Sequence, residues 1–202
     1  MCSRFECTVS EKKIIKEYGL DENAVRLDHT ETRITDMAYI ITADEPTVLQ
    51  QMHFGLVPWD AKSVKMDFST FNAMSENLLT AKTWKTLFIK HKVCLVITDG
   101  FKEGKKATGI YKFKVKGRET YAFAGLWSQW NDPVSKLPYR SFAIITVPAN
   151  TQVTEYHPKG RMPAILTKEE EKLWLSKEIT AEQKLPLLKT WPDDEMYNER
   201  ID

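Results

Sequence analysis

A chain of 202 residues is long enough for one well-packed core and short for two, so residues 1–202 are read as a single domain. Hydrophobic residues make up 42% and charged residues 28%, an ordinary balance for a globular protein, and no apolar run approaches the roughly 18 residues that span a bilayer. The net charge of +1 conceals a segregation: residues 82–118 hold eleven Lys or Arg against two acids, whereas residues 1–50 and 167–202 each hold six basic and ten acidic side chains. A basic middle between acidic ends is either an electrostatic footprint for phosphates or a solvated lysine-rich surface.

The start, Met1-Cys2-Ser3-Arg4-Phe5-Glu6-Cys7, offers no apolar stretch for a signal peptide, so a cytoplasmic protein is expected. Ser10 is placed to cap a short helix ending at Tyr18 and Gly19, with Ile14, Ile15 and Tyr18 as its apolar stripe. Strands are predicted over Met37–Thr42 and Thr47–Phe54, joined by the turn Asp44-Glu45-Pro46. Gly55-Leu56-Val57-Pro58-Trp59 reads as an irregular crossing, because Pro58 cannot sit mid-strand. Further strands are predicted over Val93–Thr98, Thr108–Val115, Thr120–Trp127 and Arg140–Val147, with Gly117 as a hairpin turn between the second and third. Thr167 with Glu170 and Thr180 with Gln183 have capping-box spacing, so two helices close the chain. The pattern predicts an α+β fold: a curled, largely antiparallel or mixed, barrel-like sheet with short peripheral helices.

Three cysteines, Cys2, Cys7 and Cys94, have neither the paired spacing of a zinc site nor an even number for a disulfide framework. Cys94, inside Val93-Cys94-Leu95-Val96-Ile97, reads as a small buried hydrophobe. Cys2 is different. A small residue after Met1 permits removal of the methionine, and the mature chain then begins with a 1,2-aminothiol. The amine has a pKa of ~7.7–8.0 and the thiol ~8.5, so both nucleophiles are available near neutrality. An aldehyde meeting them forms an imine with the amine and then a five-membered thiazolidine by intramolecular addition of the thiol. A cysteine at position 2 can equally be an accident of sequence.

Three segments add chemistry to that terminus. In Phe71-Asn72-Ala73-Met74-Ser75-Glu76, Asn72 offers an uncharged donor and acceptor, suited to orienting an amine or sugar hydroxyl; its alternative use is a helix cap. In Asp99-Gly100-Phe101-Lys102-Glu103-Gly104, a carboxylate beyond a buried strand can have a raised pKa and move protons, or be a solvated turn residue. In His157-Pro158-Lys159-Gly160-Arg161-Met162-Pro163, the histidine can act as acid or base and Arg161 can clamp a phosphate, or the loop can be plain surface.

Together these segments resemble the SOS-response-associated peptidase (SRAP) family, which shields abasic sites. The matching stretches occur in family order: Cys2-Ser3-Arg4-Phe5, Phe54-Gly55-Leu56-Val57-Pro58-Trp59, Phe71-Asn72-Ala73 with Ser75-Glu76, Cys94-Leu95-Val96 running to Asp99-Gly100-Phe101 and Glu103, Ala124-Gly125-Leu126-Trp127, Ile144-Ile145-Thr146, and His157 leading to Arg161-Met162-Pro163. The resemblance implies a single α+β domain with a curled sheet. It also implies that Cys2 crosslinks to the ring-opened deoxyribose aldehyde of abasic sites in single-stranded DNA. By that likeness Asn72 positions the amine, Glu103 moves protons, and His157 assists opening of the sugar ring. Arg4 and Arg161 contact backbone phosphates, Lys102 supplies further positive charge, and Trp59 is a candidate wedge, although a tryptophan beside a proline more often packs in a core. No cofactor, metal or membrane is implied, a monomer is expected, and DNA damage would draw the protein to the nucleoid. The family name also records a proposed self-processing or peptidase activity with the same cysteine as nucleophile, and the resemblance allows a lyase activity as well.

The chain departs from the family pattern at several places. Ser3 stands where Gly is usual, and Met74 where Arg is usual, which removes a phosphate contact. Ile97, Lys102 and Gly104 replace the common Pro, Tyr and Trp around the glutamate, so packing that would hold the Glu103 loop is lost. The interval from His157 to Arg161 is also longer than in the familiar motif. Two other classes of function stay open on sequence alone: a thiol peptidase using Cys2 with His157, and a noncovalent single-stranded DNA-binding relative without the chemistry.

Overall fold

The structure, a computed structural model, describes residues 2–23, 25–66, 69–105, 109–157 and 159–201. In chain order it contains β1 (Arg4–Glu6), α1 (Glu11–Tyr18), β2 (Glu31–Arg33), β3 (Met37–Thr42), β4 (Gln50–Phe54), β5 (Asn72–Met74), α2 (Lys82–Ile89), β6 (Val93–Thr98), β7 (Gly100–Lys105), β8 (Gly109–Val115), β9 (Tyr121–Asn131), β10 (Pro138–Pro148), α3 (Thr151–Thr154), β11 (Arg161–Pro163), β12 (Ile165–Leu166), α4 (Lys168–Leu175), α5 (Ala181–Lys184) and β13 (Met196–Arg200). Strands dominate the middle and short helices sit at the margins, the α+β arrangement expected from the pattern of runs.

The described residues form two sheets. In the larger, β3 pairs with β4, β4 with β10, β10 with β9, β9 with β6 and β6 with β3, so five strands close on themselves. Closure removes the open edges that a flat sheet would leave. The pairings of β10 with β4 and with β5 are parallel and the rest antiparallel, which makes the sheet mixed. β6 and the first seven residues of β9 read almost without polar residues because both of their faces are covered; every residue of β6 is buried. The smaller sheet has the order β13-β8-β7-β1-β2 and is antiparallel throughout.

Alternation within the smaller sheet sends Phe5, Phe101 and Phe113 to one face, where all three are fully buried. Phe5 meets Phe54, Phe123 and Phe142 edge-on at 5.5, 5.9 and 6.4 Å, and Phe101 meets Phe123 at 6.0 Å. The N-terminal strand is thus fastened to the barrel by an aromatic side chain whose truncation would cost about 3–5 kcal/mol. The barrel passes into the second sheet through a single residue, Asp99, between β6 and β7. Its N–H donates to the Glu6 carbonyl at 2.9 Å and its carboxylate accepts from the Thr8 N–H at 2.6 Å, so the crossover also grips the chain just after β1.

Local expectations meet the structure unevenly. The helix ending at Tyr18 is present, and Gly19 closes it in the left-handed conformation at φ 63°, but Ser10 makes no side-chain cap bond. Both capping boxes form, at the starts of α4 and α5. The second predicted strand begins at Gln50 rather than Thr47. Gly117, φ 70°, does turn the chain, yet not as a hairpin: β8 pairs with β7 and β13 while β9 pairs with β6, β10 and β12, so that turn moves the chain between sheets.

The Glu103 segment is strand β7, not a loop, and Gly104 is required there. A Cβ at Gly104 would lie 2.2 Å from the Gly109 carbonyl oxygen, and its φ is +129°. The neighbouring strand β8 lies so close over this position that no side chain has room there. Gly104→Ala should therefore lower stability by about 2 kcal/mol or more, checked by urea unfolding.

Candidate active site around Cys2 and Glu103

Cys2 precedes β1 and is fully buried; its Sγ–H points at the Arg4 carbonyl, 3.7 Å away. The register of β1 with β7 pairs Phe5 with Phe101 and Glu6 with Gly100, so running it backward brings the first residues beside Glu103. Burial, then the Glu103 carboxylate, push the Cys2 thiol well above its ordinary value, which keeps it in the S–H form. Burial also raises the Glu103 carboxyl to about 7, against an opposing pull from the positive Arg4. The Glu103 Oε1 atom is buried and has no hydrogen-bond partner among the described residues. A carboxyl that is half ionised near neutrality and has an unoccupied oxygen is equipped to give and take protons.

Tyr111 is the cross-strand partner of Glu103, and its ring packs against Tyr156 with centroids 3.9 Å apart. Tyr156 directly precedes His157, so this contact joins the Glu103 sheet to the histidine loop. His157 is buried, and its Nδ1 accepts from the backbone N–H groups of Lys159 (3.1 Å) and Arg161 (3.3 Å). Two donors on Nδ1 leave the proton of the neutral ring on Nε2. The longer interval between His157 and Arg161 is taken up by this fold-back, in which Gly160 (φ 55°) bonds to the His157 carbonyl at 3.0 Å. Pro158 lies outside the described residues.

Burial, aided by the nearby positive Lys159 and Arg161, lowers the His157 pKa from 6.5 to about 4. The fold therefore prefers the neutral ring: its contribution to stability is complete above pH 6.5 and disappears as the pH falls toward 4. An NMR titration should show His157 neutral at pH 6, with its midpoint below 5.

Asn72 is neither a helix cap nor a surface residue. It begins β5, pairs in parallel register with Ile144, and is buried. Its Nδ2 donates to the Phe71 carbonyl at 3.0 Å while its Oδ1 is buried without a hydrogen-bond partner, leaving an acceptor in reserve. Its amide is not bonded to Cys2, Glu103 or His157 among the described residues. The end of β5 leads to Glu76, whose carboxylate takes a two-pronged bond from Arg161 at 2.7 and 2.9 Å; Arg161 also donates to the Thr146 carbonyl at 2.5 Å. That contact ties the Asn72 strand to β11. Met74, where the family motif has arginine, is exposed.

The side chains expected to meet DNA divide into two groups. Arg4 has no ion pair to a described carboxylate. Trp59 is 65% exposed, against the expectation that a tryptophan beside Pro58 packs inward. It stands between hollows edged by Lys82, Lys90 and Lys92 of and after α2. Arg161 and Lys102, by contrast, are already engaged: the Lys102 ammonium lies 2.8 Å from Glu6 and 2.6 Å from Glu31. More generally, the acidic ends fold onto the basic middle. Lys92 pairs with Asp44, Lys112 with Glu6, and Arg118 with Glu171. Much of the charge segregation is thus internal pairing, and the exposed cations without a described carboxylate include Lys82 and Lys85 of α2 and Lys90 just after it.

Among the described residues no cluster of His, Cys, Asp and Glu is arranged to hold a metal ion, and no helix is long and apolar enough to cross a membrane. A hollow of about 600 Å³ between α1, α4 and the barrel is lined by none of the four candidate catalytic residues.

The sequence profile of the family described as SOS response associated peptidase (SRAP) matches residues 1–202. The chain belongs to the SRAP family. It is 30% identical to the abasic site processing protein YoqW of Bacillus subtilis, over 97% of this chain and 90% of that protein. It is 33% identical to the abasic site processing protein HMCES of Gallus gallus, over 61% of this chain and 43% of that longer protein. Its fold is shared with a solved Bacteroides thetaiotaomicron protein (TM-score 0.88, 24% identity, 100% and 92% of the two chains). A Bordetella bronchiseptica protein also shares it (TM-score 0.86, 19% identity, all of both chains). Within this SRAP chain, Tyr111 and Tyr156 were invisible to sequence reading, since only pairing across β7 and β8 reveals that one faces Glu103.

Proposed function

We propose that this protein captures abasic sites in single-stranded DNA by condensing the sugar aldehyde with the N-terminal aminothiol of Cys2. The observation that carries the proposal is a buried cysteine at position 2 beside a carboxyl, Glu103, that titrates near 7. The names of the relatives, abasic site processing proteins, support the substrate class.

Removal of Met1 creates the required amine. The neutral His157 donates from Nε2 to the sugar ring oxygen as the ring opens to the aldehyde. The Cys2 amine adds to the aldehyde carbon, and protonated Glu103 gives its proton to the departing hydroxyl, so water leaves and an imine remains. The unpartnered Asn72 oxygen accepts from the amine and holds it toward the aldehyde. The Cys2 sulfur then bonds to the imine carbon while its proton passes, through Glu103, to the imine nitrogen. The sum is aldehyde plus aminothiol giving thiazolidine plus water. Keeping the thiol as S–H suits this order of events and works against a thiolate peptidase.

Arg4 and exposed Trp59, with the α2 lysines, supply backbone and stacking contacts that are indifferent to base identity. Incubating Met-free protein with single-stranded DNA carrying one abasic site should yield a heat-stable shifted band on a denaturing gel. If that band is missing while another family member forms it, the proposal is rejected. Salt-dependent binding that ignores the lesion would instead identify a noncovalent relative.

A further inference from the structure

We infer that Lys102 is a positioning residue for Cys2: it is the cation that lets two facing carboxylates, Glu6 and Glu31, hold the N-terminal strand in its sheet. The inference rests on the aldehyde-capture role of Cys2, and it assigns Lys102 to geometry rather than to DNA.

The argument begins with register. Strand β1 has three residues and is flanked by β2 and β7, and Glu6 stands directly opposite Glu31. Like charges directly opposite on neighbouring strands repel, and so short a strand has few ladder bonds to resist them. Lys102 reaches in from β7 and answers both carboxylates, at 2.8 Å to Glu6 Oε2 and 2.6 Å to Glu31 Oε2, with only 14% of its side chain exposed. The other oxygen of Glu6 is taken by Lys112 of β8. One lysine therefore ties β2, β1 and β7 together across the outer face of the sheet.

The next residue along β7 is Glu103, and alternation turns it to the opposite face, toward the site. The clamp and the proton-transfer carboxyl are thus successive residues of one strand. If the clamp opens, β1 drifts from β7, and the Cys2 thiol drifts from Glu103. An ammonium already shared by two carboxylates also has little charge left for a phosphate. Lys112 stays with Glu6 and Arg33 with Glu31, but neither cation spans both carboxylates. Removing Lys102 therefore leaves their mutual repulsion across β1 and β2 unanswered, and the effect should be large.

The test uses Met-free protein in four forms: wild type, Lys102→Arg, Lys102→Met, and Lys102→Met combined with Glu31→Gln. Site-resolved alkylation of Cys2 by iodoacetamide reports how well β1 stays docked and needs no DNA. Crosslinking rate at saturating abasic single-stranded DNA reports catalysis, and affinity for undamaged single-stranded DNA across a salt series reports phosphate contact. Lys102→Met should alkylate at least about fivefold faster and crosslink at least about tenfold more slowly, with affinity within about twofold of wild type. Lys102→Arg should resemble wild type, and the added Glu31→Gln should bring both rates back to within about threefold by removing the repulsion.

Lower affinity with a shallower salt slope and unchanged alkylation would mark Lys102 as a phosphate contact and overturn the inference. So would failure of Glu31→Gln to rescue. Should Lys102→Met not fold, a folded double variant with wild-type alkylation supports the clamp, and an unfolded double variant overturns it. Absence of crosslinking in wild type rejects the capture chemistry and leaves the alkylation comparison to judge the clamp.

Discussion

Replacing Cys2 with serine should lower the yield of heat-stable adduct on abasic single-stranded DNA by at least about a hundredfold. The serine amine still forms an imine, so borohydride should trap a product of the same size. The difference lies in the second bond. Thiol addition to the imine is intramolecular, and well-oriented cases reach effective molarities of ~10⁵ M or more. A hydroxyl is a far weaker nucleophile, which leaves the imine open to hydrolysis. Gels run with and without borohydride separate the two steps, and heat-stable product from the serine variant without reductant would defeat the thiazolidine assignment.

Glu103→Gln should separate activity from stability. Crosslinking should slow by ~10²–10⁴, the usual contribution of a positioned acid–base group, and the pH–rate inflection near 7 should vanish. Stability should move the other way. Folding raises this carboxyl from 4.5 to about 7, so its favourable contribution is whole below pH 4.5 and is lost as pH rises to 7, beyond which a buried charge is carried at full cost. Glutamine carries no charge, so at pH 8 the variant should be more stable than wild type by up to about 3 kcal/mol, with the gap closing below pH 5. Urea unfolding at the two pH values provides the measurement. A variant less stable at pH 8 would mean that Glu103 is held as a satisfied anion.

The parts of this architecture that were legible in the sequence are those set by neighbours along the chain. Met37–Thr42 and Val93–Thr98 are strands with the boundaries expected, because β-branched runs flanked by turn residues have little other use. The capping boxes at Thr167 and Thr180 are likewise local. What was hidden depends on pairing between distant segments. The Glu103 stretch sets charged residues between two glycines, which resembles a turn until β1 and β8 are placed on either side. Gly117 looked like a hairpin because β8 and β9 are consecutive, although they lie in different sheets. Lys102 looked available to DNA because nothing nearby in sequence shows that Glu6 and Glu31 converge on it. Motif likeness pointed to Cys2, Asn72, Glu103 and His157. Their burial, and the displaced pKa values of the thiol, carboxyl and imidazole, emerge only from the fold.

The pairing of β1 with β7 has a consequence for how the molecule is made. Phe5 pairs with Phe101, so β1 cannot dock until β7, nearly half the chain later, has been made. On the proposed chemistry, the Cys2 aminothiol stays open to small carbonyl compounds throughout that interval. On the same chemistry, folding then does for Cys2 what a protecting group does in synthesis: burial withdraws the thiol from indiscriminate partners. A variant that docks this strand late should accumulate stray adducts at its terminus.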